Sequence, residues 1–307
     1  MNFCRYSPEM ASEHFSANAS NSSNNLNEKD ELVGQKKAIY IIICVVQVLL
    51  GTIFNSCVIY LFQRNCHLLD IPANLILLNM SIVDFILCLL LLPGEMCVVF
   101  TDNGLLWNIP QYLLYFAMSV SMFGAVLMSV DRLLTVIYPL RYHILMTTSR
   151  TIWILAFDWS LSFLFTMLLY ARHIYNDTRY EYVLVARDFL CVLIVCVSYT
   201  AIFCIASKQA RKVTAKDGRT NGEYCRLICI RSLKSAKKSG TVVFFFLLSC
   251  TPYVSLEIYY NFSVDRFNNE TLFWSFTFLF WQSSLNPLLV CSFSGNLRNI
   301  AMKTFFH

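Results

Sequence analysis

The sequence predicts an all-α protein, a bundle of seven membrane-spanning helices followed by a short amphipathic eighth helix. Three observations carry this. Hydrophobic residues make up 57% of the 307 residues and charged residues only 14%, whereas a soluble domain carries about 25% charged residues; the mean hydropathy is +0.54. Seven windows reach the roughly 20 apolar residues that a bilayer crossing needs. Basic residues and glycosylation sequons sort onto opposite sides of those windows. The same composition excludes a disordered chain and a nucleic-acid binder, both of which need more charge.

Residues 1–37 are polar, rich in Asn and Ser, and lack the apolar core of a cleavable signal peptide. They are expected to form an extracellular, glycosylated tail. The spanning domain covers 38–292, with windows at 38–62, 72–98, 107–137, 151–171, 182–206, 239–260 and 271–292. The second is the most apolar, with Leu89, Leu90, Leu91 and Leu92 in a row. The fifth is the weakest, because Arg187 and Asp188 stand near its start. Strands are excluded by run length and by the lack of two-residue alternation. Residues 293–307 form the cytoplasmic end, where Leu297, Ile300, Ala301 and Phe305 fall on one helical face beside Arg298 and Lys303. Such a helix lies flat among the lipids of the inner surface.

Sequons at Asn18, Asn21, Asn176, Asn261 and Asn269 lie in the tail or in the loops after the fourth and sixth windows. Asn79 heads another inside the second window, where it should go unused. The opposite side carries Arg64, Arg132, Arg141, Arg150, Arg298, Lys303 and a basic loop from Lys208 to Lys238. Lys and Arg crowd the cytoplasmic side, so the N-terminus is expected outside and the C-terminus inside, at the plasma membrane. Most of the 13 Cys sit in apolar runs, where a thiol acts as a small hydrophobe. Their spacing offers no zinc site. No catalytic triad, metal cluster or phosphate loop is visible, so enzyme activity has no support.

Ionisable and polar groups inside a membrane mark functional sites by default. Asp84, Ser121, Gln282, Ser283 and Asn286, joined by Asn55, form a set able to hold a sodium ion or a proton. The plainer reading of each is a helix–helix hydrogen bond of about 0.6–2 kcal/mol. Pro252 and Pro287 remove backbone donors and should kink the sixth and seventh helices.

The ordered set Gly51-x-x-x-Asn55, Leu78 to Asp84, Asp131-Arg132-Leu133 with Tyr138-Pro139-Leu140, Trp159, Tyr199, Phe246 before Pro252, and Asn286-Pro287-Leu-Leu-Val290 resembles the rhodopsin-like (class A) G-protein-coupled receptors over about residues 38–307. The resemblance implies that Asp131 holds Arg132 at rest and that Arg132 meets a heterotrimeric G protein on activation. It implies that Tyr199 steadies the open state, that Leu140 inserts into the G protein, and that Asp84, Ser121 and Asn286 line a sodium site.

Departures narrow the group. Trp107 stands where the family usually has a bridged Cys, no Cys lies between Cys97 and Cys191, Cys191 replaces the helix-5 proline, and the loop after helix 4 is short. These features resemble the melanocortin, lysophospholipid, cannabinoid and adenosine group. Arg141-Tyr142-His143-Ile144-Leu145-Met146-Thr147 and Ser294-Gly-Asn-Leu297-Arg298 look most like melanocortin receptors. Their calcium site does not carry over, because Trp107 and Gln111 are not acids and Glu95 is displaced by one residue. Leu114 stands where amine receptors show Asp, and helix 7 lacks the Lys of an opsin. Cys250 and Val290 replace the usual switch Trp and Tyr. Ser232 replaces an acid that restrains Arg132, which predicts measurable basal signalling.

The expected pocket is walled by Glu95, Gln111, Leu114, Met118, Arg187, Asp188, Tyr253, Glu257, Phe276 and Phe280, mostly apolar and aromatic as a ligand cleft should be. Arg187 either pairs with Glu257 or holds a ligand carboxylate or phosphate. The ligand is expected to be a peptide or a lipid. A chemosensory or orphan receptor of the same superfamily is the alternative, and a seven-helix transporter or channel relaying ions through Asp84 is the rival from another class. A pairing of Cys4 with Cys97 is left open.

Overall fold

The computed structural model describes residues 14–94, 108–138, 140–175, 179–214, 245–256, 258–259, 269–293 and 295–306. The chain divides into two compact units, Met1–Val46 and Gln47–His307. The first is helical from His14, so the backbone at Asn18 and Asn21, expected in the extracellular tail, is helical. Its apolar part exposes Ile39 and Ile42.

The described elements are α1 (His14–Arg64), α2 (Pro72–Gly94), α3 (Asn108–Ile137), α4 (Thr148–Tyr175), α5 (Arg179–Thr214), α6 (Phe245–Leu256), α7 (Asn269–Phe293) and α8 (Gly295–Phe306). A 3₁₀ turn at Cys66–Asp70 joins α1 to α2, and a single helical turn at Tyr142–Leu145 lies between α3 and α4. No strand occurs among the described residues. Five helical segments are long and apolar enough to cross a membrane: Ala38–Arg64, Pro72–Gly94, Tyr112–Ile137, Thr148–Arg172 and Tyr182–Lys208. They match the first five windows within a few residues.

Local chemistry sets several boundaries. Pro72 opens α2, where its missing N–H costs nothing, and Ile71 before it is extended, as a residue preceding proline must be. One π-type turn at Leu87–Leu91 interrupts α2 one turn beyond Asp84, the kind of defect that re-aims a helix near a site. Pro287 lies inside α7.

The second unit is turned outward in the manner of a membrane protein. Trp153 is 74% exposed, Phe203 67% and Leu90 61%, while Asn55, Asp84 and Asp131 are wholly buried. Lipid solvates the apolar rim, and polar groups must find partners inside. Three apolar clusters hold the helices together. Val83, Leu87, Leu114, Val120 and Phe280 join α2, α3 and α7. Val195, Phe246 and Cys250 join α5 and α6, with Met122 and Val126 of α3 against them. Val58, Leu61, Phe62 and Leu77 join α1 to α2, and Ile300 and Ala301 of α8 rest on them. Asn65 Nδ2 also donates to Thr304 Oγ1 at 3.4 Å. The expected amphipathic eighth helix is thus present and docks on the α1–α2 end.

Two glycines permit close helix approach. A Cβ on Gly51 would strike the Cys88 thiol and lie 3.0 Å from Ser284 Oγ, and one on Gly124 would lie 2.8 Å from Met80 Cγ.

Candidate functional site

The candidate residues fall at three depths. At the first, where α3 ends, Asp131 is fully buried and Arg132 is 35% exposed along its side chain, with Arg132 Nη2 3.4 Å from Asp131 Oδ2. The Tyr142 hydroxyl donates to Asp131 Oδ1 at 2.5 Å. The helical turn that carries Tyr142 is itself pinned, because Arg150 Nη1 donates to the carbonyls of Ile144 at 2.8 Å and Leu145 at 2.9 Å. Burial first, and then the adjacent carboxylate, push the Tyr142 hydroxyl well above the ordinary tyrosine range, so it keeps the proton it donates. Leu140, two residues before Tyr142, is 94% exposed. Tyr199 packs against the Val195–Phe246–Cys250 cluster. The sequence singled out Asp131, Arg132, Leu140 and Tyr199 but assigned no role to Tyr142. Its signal was a polar aromatic in the short loop that follows α3.

The second depth is the polar centre. Ser121 Oγ donates to Asp84 Oδ1 at 2.9 Å, and Ser283 and Asn286 of α7 also face that carboxyl. Among the described residues no hydrogen bond forms at Asp84 Oδ2. Asn55 donates to Gly51 O at 2.8 Å and to Ser283 O at 3.2 Å, tying α1 to α7 beside the carboxyl's partners. Cys250 Sγ donates to Gln282 Oε1 at 3.1 Å, so a switch position and a polar-network position expected separately form one contact between α6 and α7. Sequence reasoning missed a seam next to this centre. Gln47 Nε2 donates to Thr277 O at 2.8 Å, and Ser284 Oγ donates to Gln47 O at 3.1 Å. Its signal was a glutamine and a serine inside otherwise apolar helices. Asn79, expected only as an unused sequon, accepts a hydrogen bond from Trp159 Nε1 at 2.8 Å.

The third depth lies toward the start of α5. The question of what pairs with Arg187 is answered by its own neighbour. Arg187 Nε donates to Asp188 Oδ1 at 2.7 Å and Nη1 donates to Ser119 Oγ at 2.9 Å. Both side chains are buried. The expectation had Arg187 either paired with Glu257 or holding a ligand anion; the structure shows it paired with Asp188, while the side chain of Glu257 lies outside the described residues. A charge pair, and not a weak helix start, explains how α5 carries Arg187 and Asp188 inside the membrane. Asp158 of α4, 3% exposed with Ser162 one turn on, is a further buried acid that the sequence reading passed over. Leu114 and Phe280 are buried in one apolar cluster with Met118 against it, and Tyr253 is partly buried on α6. The side chains of Glu95, Gln111, Glu257, Phe276, Val290, Asn18, Asn21 and Asn269, and the residues Asn176, Asn261, Ser232, Cys4 and Cys97, lie outside what the structure describes. No group of three or more His, Cys, Asp or Glu side chains able to hold a metal occurs among the described residues.

A helical membrane chain with an Asp-Arg pair closing α3, a buried acid in α2 facing α7, and a proline inside α7 has the features of a signalling receptor. The family model for the seven-transmembrane receptor (rhodopsin family) matches residues 54–289, and the chain belongs to that family. It is 27% identical over 257 residues to trace amine-associated receptor 7d of Mus musculus, covering 72% of this chain and 70% of that receptor. It is 25% identical over 258 residues to trace amine-associated receptor 9 of Homo sapiens (73% and 72%). It is 25% identical over 259 residues to the histamine H2 receptor of Cavia porcellus (76% and 70%). Membership in this family supports a multi-pass membrane receptor that couples to G proteins and is not an enzyme, and it sets aside the transporter suggested by Asp84.

Proposed function

We propose that the chain is a plasma-membrane receptor, N-terminus outside and C-terminus in the cytoplasm, that passes the signal of an apolar ligand to a heterotrimeric G protein by movement of α6. The observation that carries this is the Asp131–Arg132 pair, with Asp131 held by Tyr142 and Leu140 standing 94% exposed beside it. A pair with one buried and one accessible member can release its accessible cation to a partner helix. The Cys250–Gln282 contact links the α6 switch to the polar centre, so a shift of α6 is felt at Asp84.

The relatives' names bring an amine to mind, but Leu114 occupies the place of the amine-receptor acid and Arg187 consumes Asp188. The apolar wall of Leu114, Met118 and Phe280 favours a lipid. The melanocortin-like stretches after α3 and α7 favour a peptide as the second reading. Sodium is proposed at Asp84, whose neighbours Ser121, Ser283 and Asn286 add oxygen ligands suited to a hard cation.

The test is basal second-messenger output (cAMP and calcium) in cells expressing the chain beside an Arg132→Ala variant at matched surface level. The expected result is an output that changes in the wild type and collapses in the variant. Equal, non-zero output from both would overturn the role of Arg132.

A further inference from the structure

Arg187 is surrounded by aromatic rings and a buried acid. The guanidinium carbon lies 4.9 Å from the ring centroid of Tyr115, 5.0 Å from that of Phe165 and 6.0 Å from that of Phe123. Asp188 supplies the counter-charge through contacts to Nε at 2.7 Å and Nη2 at 2.5 Å, and Ser119 accepts from Nη1 at 2.9 Å. Aromatic faces attract a cation through their ring quadrupole, more strongly when water is excluded. A planar guanidinium both stacks on rings and forks onto a carboxylate. Tyr115, Ser119 and Phe123 recur every four residues, which places them on one face of α3. Phe165 comes from α4 and Asp188 from α5.

We infer that this cage between α3, α4 and α5 is a cation-recognition site that the chain fills with its own Arg187. Two consequences follow. In the wild-type receptor Asp188 is occupied and not offered to an external amine. Removing the arginine side chain uncovers a site for a small guanidinium. The inference deepens the ligand reading above, and its test reads the stability of the protein, so its failure is distinguishable from a failure to signal.

The experiment uses the full-length receptor purified in detergent, with methylguanidinium as the probe. The Arg187→Ala variant should unfold at a lower temperature than the wild type, because Asp188 is left buried and unpaired. Millimolar methylguanidinium should give a saturable upward shift of that midpoint. It should not shift the wild type, whose cage is full, or the Arg187→Ala/Asp188→Ala double variant, which lacks the counter-charge. If Arg187→Ala does not reach the cell surface, methylguanidinium in the medium should restore its surface level while leaving the double variant unchanged. No response of Arg187→Ala in either assay overturns the inference, as does an equal response of the wild type or of the double variant.

Discussion

Replacing Gly51 by alanine asks three helices to move apart. The new methyl would overlap the Cys88 thiol and lie 3.0 Å from both Cys88 Cβ and Ser284 Oγ, and neither neighbour is free to yield. Cys88 is fully buried at the start of the π-type turn in α2, and Ser284 Oγ is engaged with Gln47 O at 3.1 Å and Phe280 O at 3.3 Å. Overpacking of this kind costs about 1–3 kcal/mol. The damage should spread, because the Gly51 carbonyl accepts from Asn55 at 2.8 Å and Asn55 holds α7 beside the partners of Asp84. Cys88→Ala alone removes one buried sulfur, at a cost near 1 kcal/mol by analogy with a buried methylene. It also clears the overlap. The Gly51→Ala/Cys88→Ala double variant should therefore be more stable than the sum of the single effects by about 1–2 kcal/mol, within the range seen for residues in contact. The assay is the thermal unfolding midpoint of the four proteins in one detergent. Strict additivity, or a Gly51→Ala receptor as stable as the wild type, would refute the claim that Gly51 is kept for close approach.

Three further outcomes are expected. Tyr142→Phe should lose about 1.5–3 kcal/mol, the value of a hydrogen bond to a charged group, read as a lower unfolding midpoint at neutral pH. Because the folded state raises the Tyr142 pKa, that residue's contribution is complete below the unfolded tyrosine value near 10 and is lost as pH rises through the folded value; the wild type should approach the Tyr142→Phe variant in stability only at strongly alkaline pH. Trp159→Phe keeps a ring but loses the bond to Asn79 and should cost about 0.6 kcal/mol, an average membrane interhelical bond; a loss above about 2 kcal/mol would show that the contact does more than join α2 to α4. Sodium chloride should raise the midpoint of the wild type above that in matched choline chloride, and Asp84→Asn should remove the difference; a sodium effect that survives Asp84→Asn would refute the proposed site.

Much of the molecule was legible in the chain. Spanning segments announce themselves because lipid accepts only long apolar helices with their backbone bonds satisfied internally, and the five apolar segments within α1 to α5 fall where the windows placed them, although α1 itself begins at His14. Asp84 and Arg132 stood out because an ionisable group in such a run is costly. Partners were not legible, since a hydrogen bond between helices depends on rotation and depth, which no one-dimensional spacing fixes. Arg187 shows the difference. The chain displayed a charge in the weakest window, with Glu257 or a ligand as its partner, and only packing brought Ser119, Phe123 and Phe165 around it and turned it onto Asp188. Tyr142 reaches Asp131 for a similar reason, because Arg150 fixes the helical turn that carries Tyr142. The helical class, the first five spans and the costly residues were readable from the chain alone, because solvation in lipid acts on each segment separately. The tertiary structure alone decided which buried groups satisfy one another, because that satisfaction is a property of helices in contact.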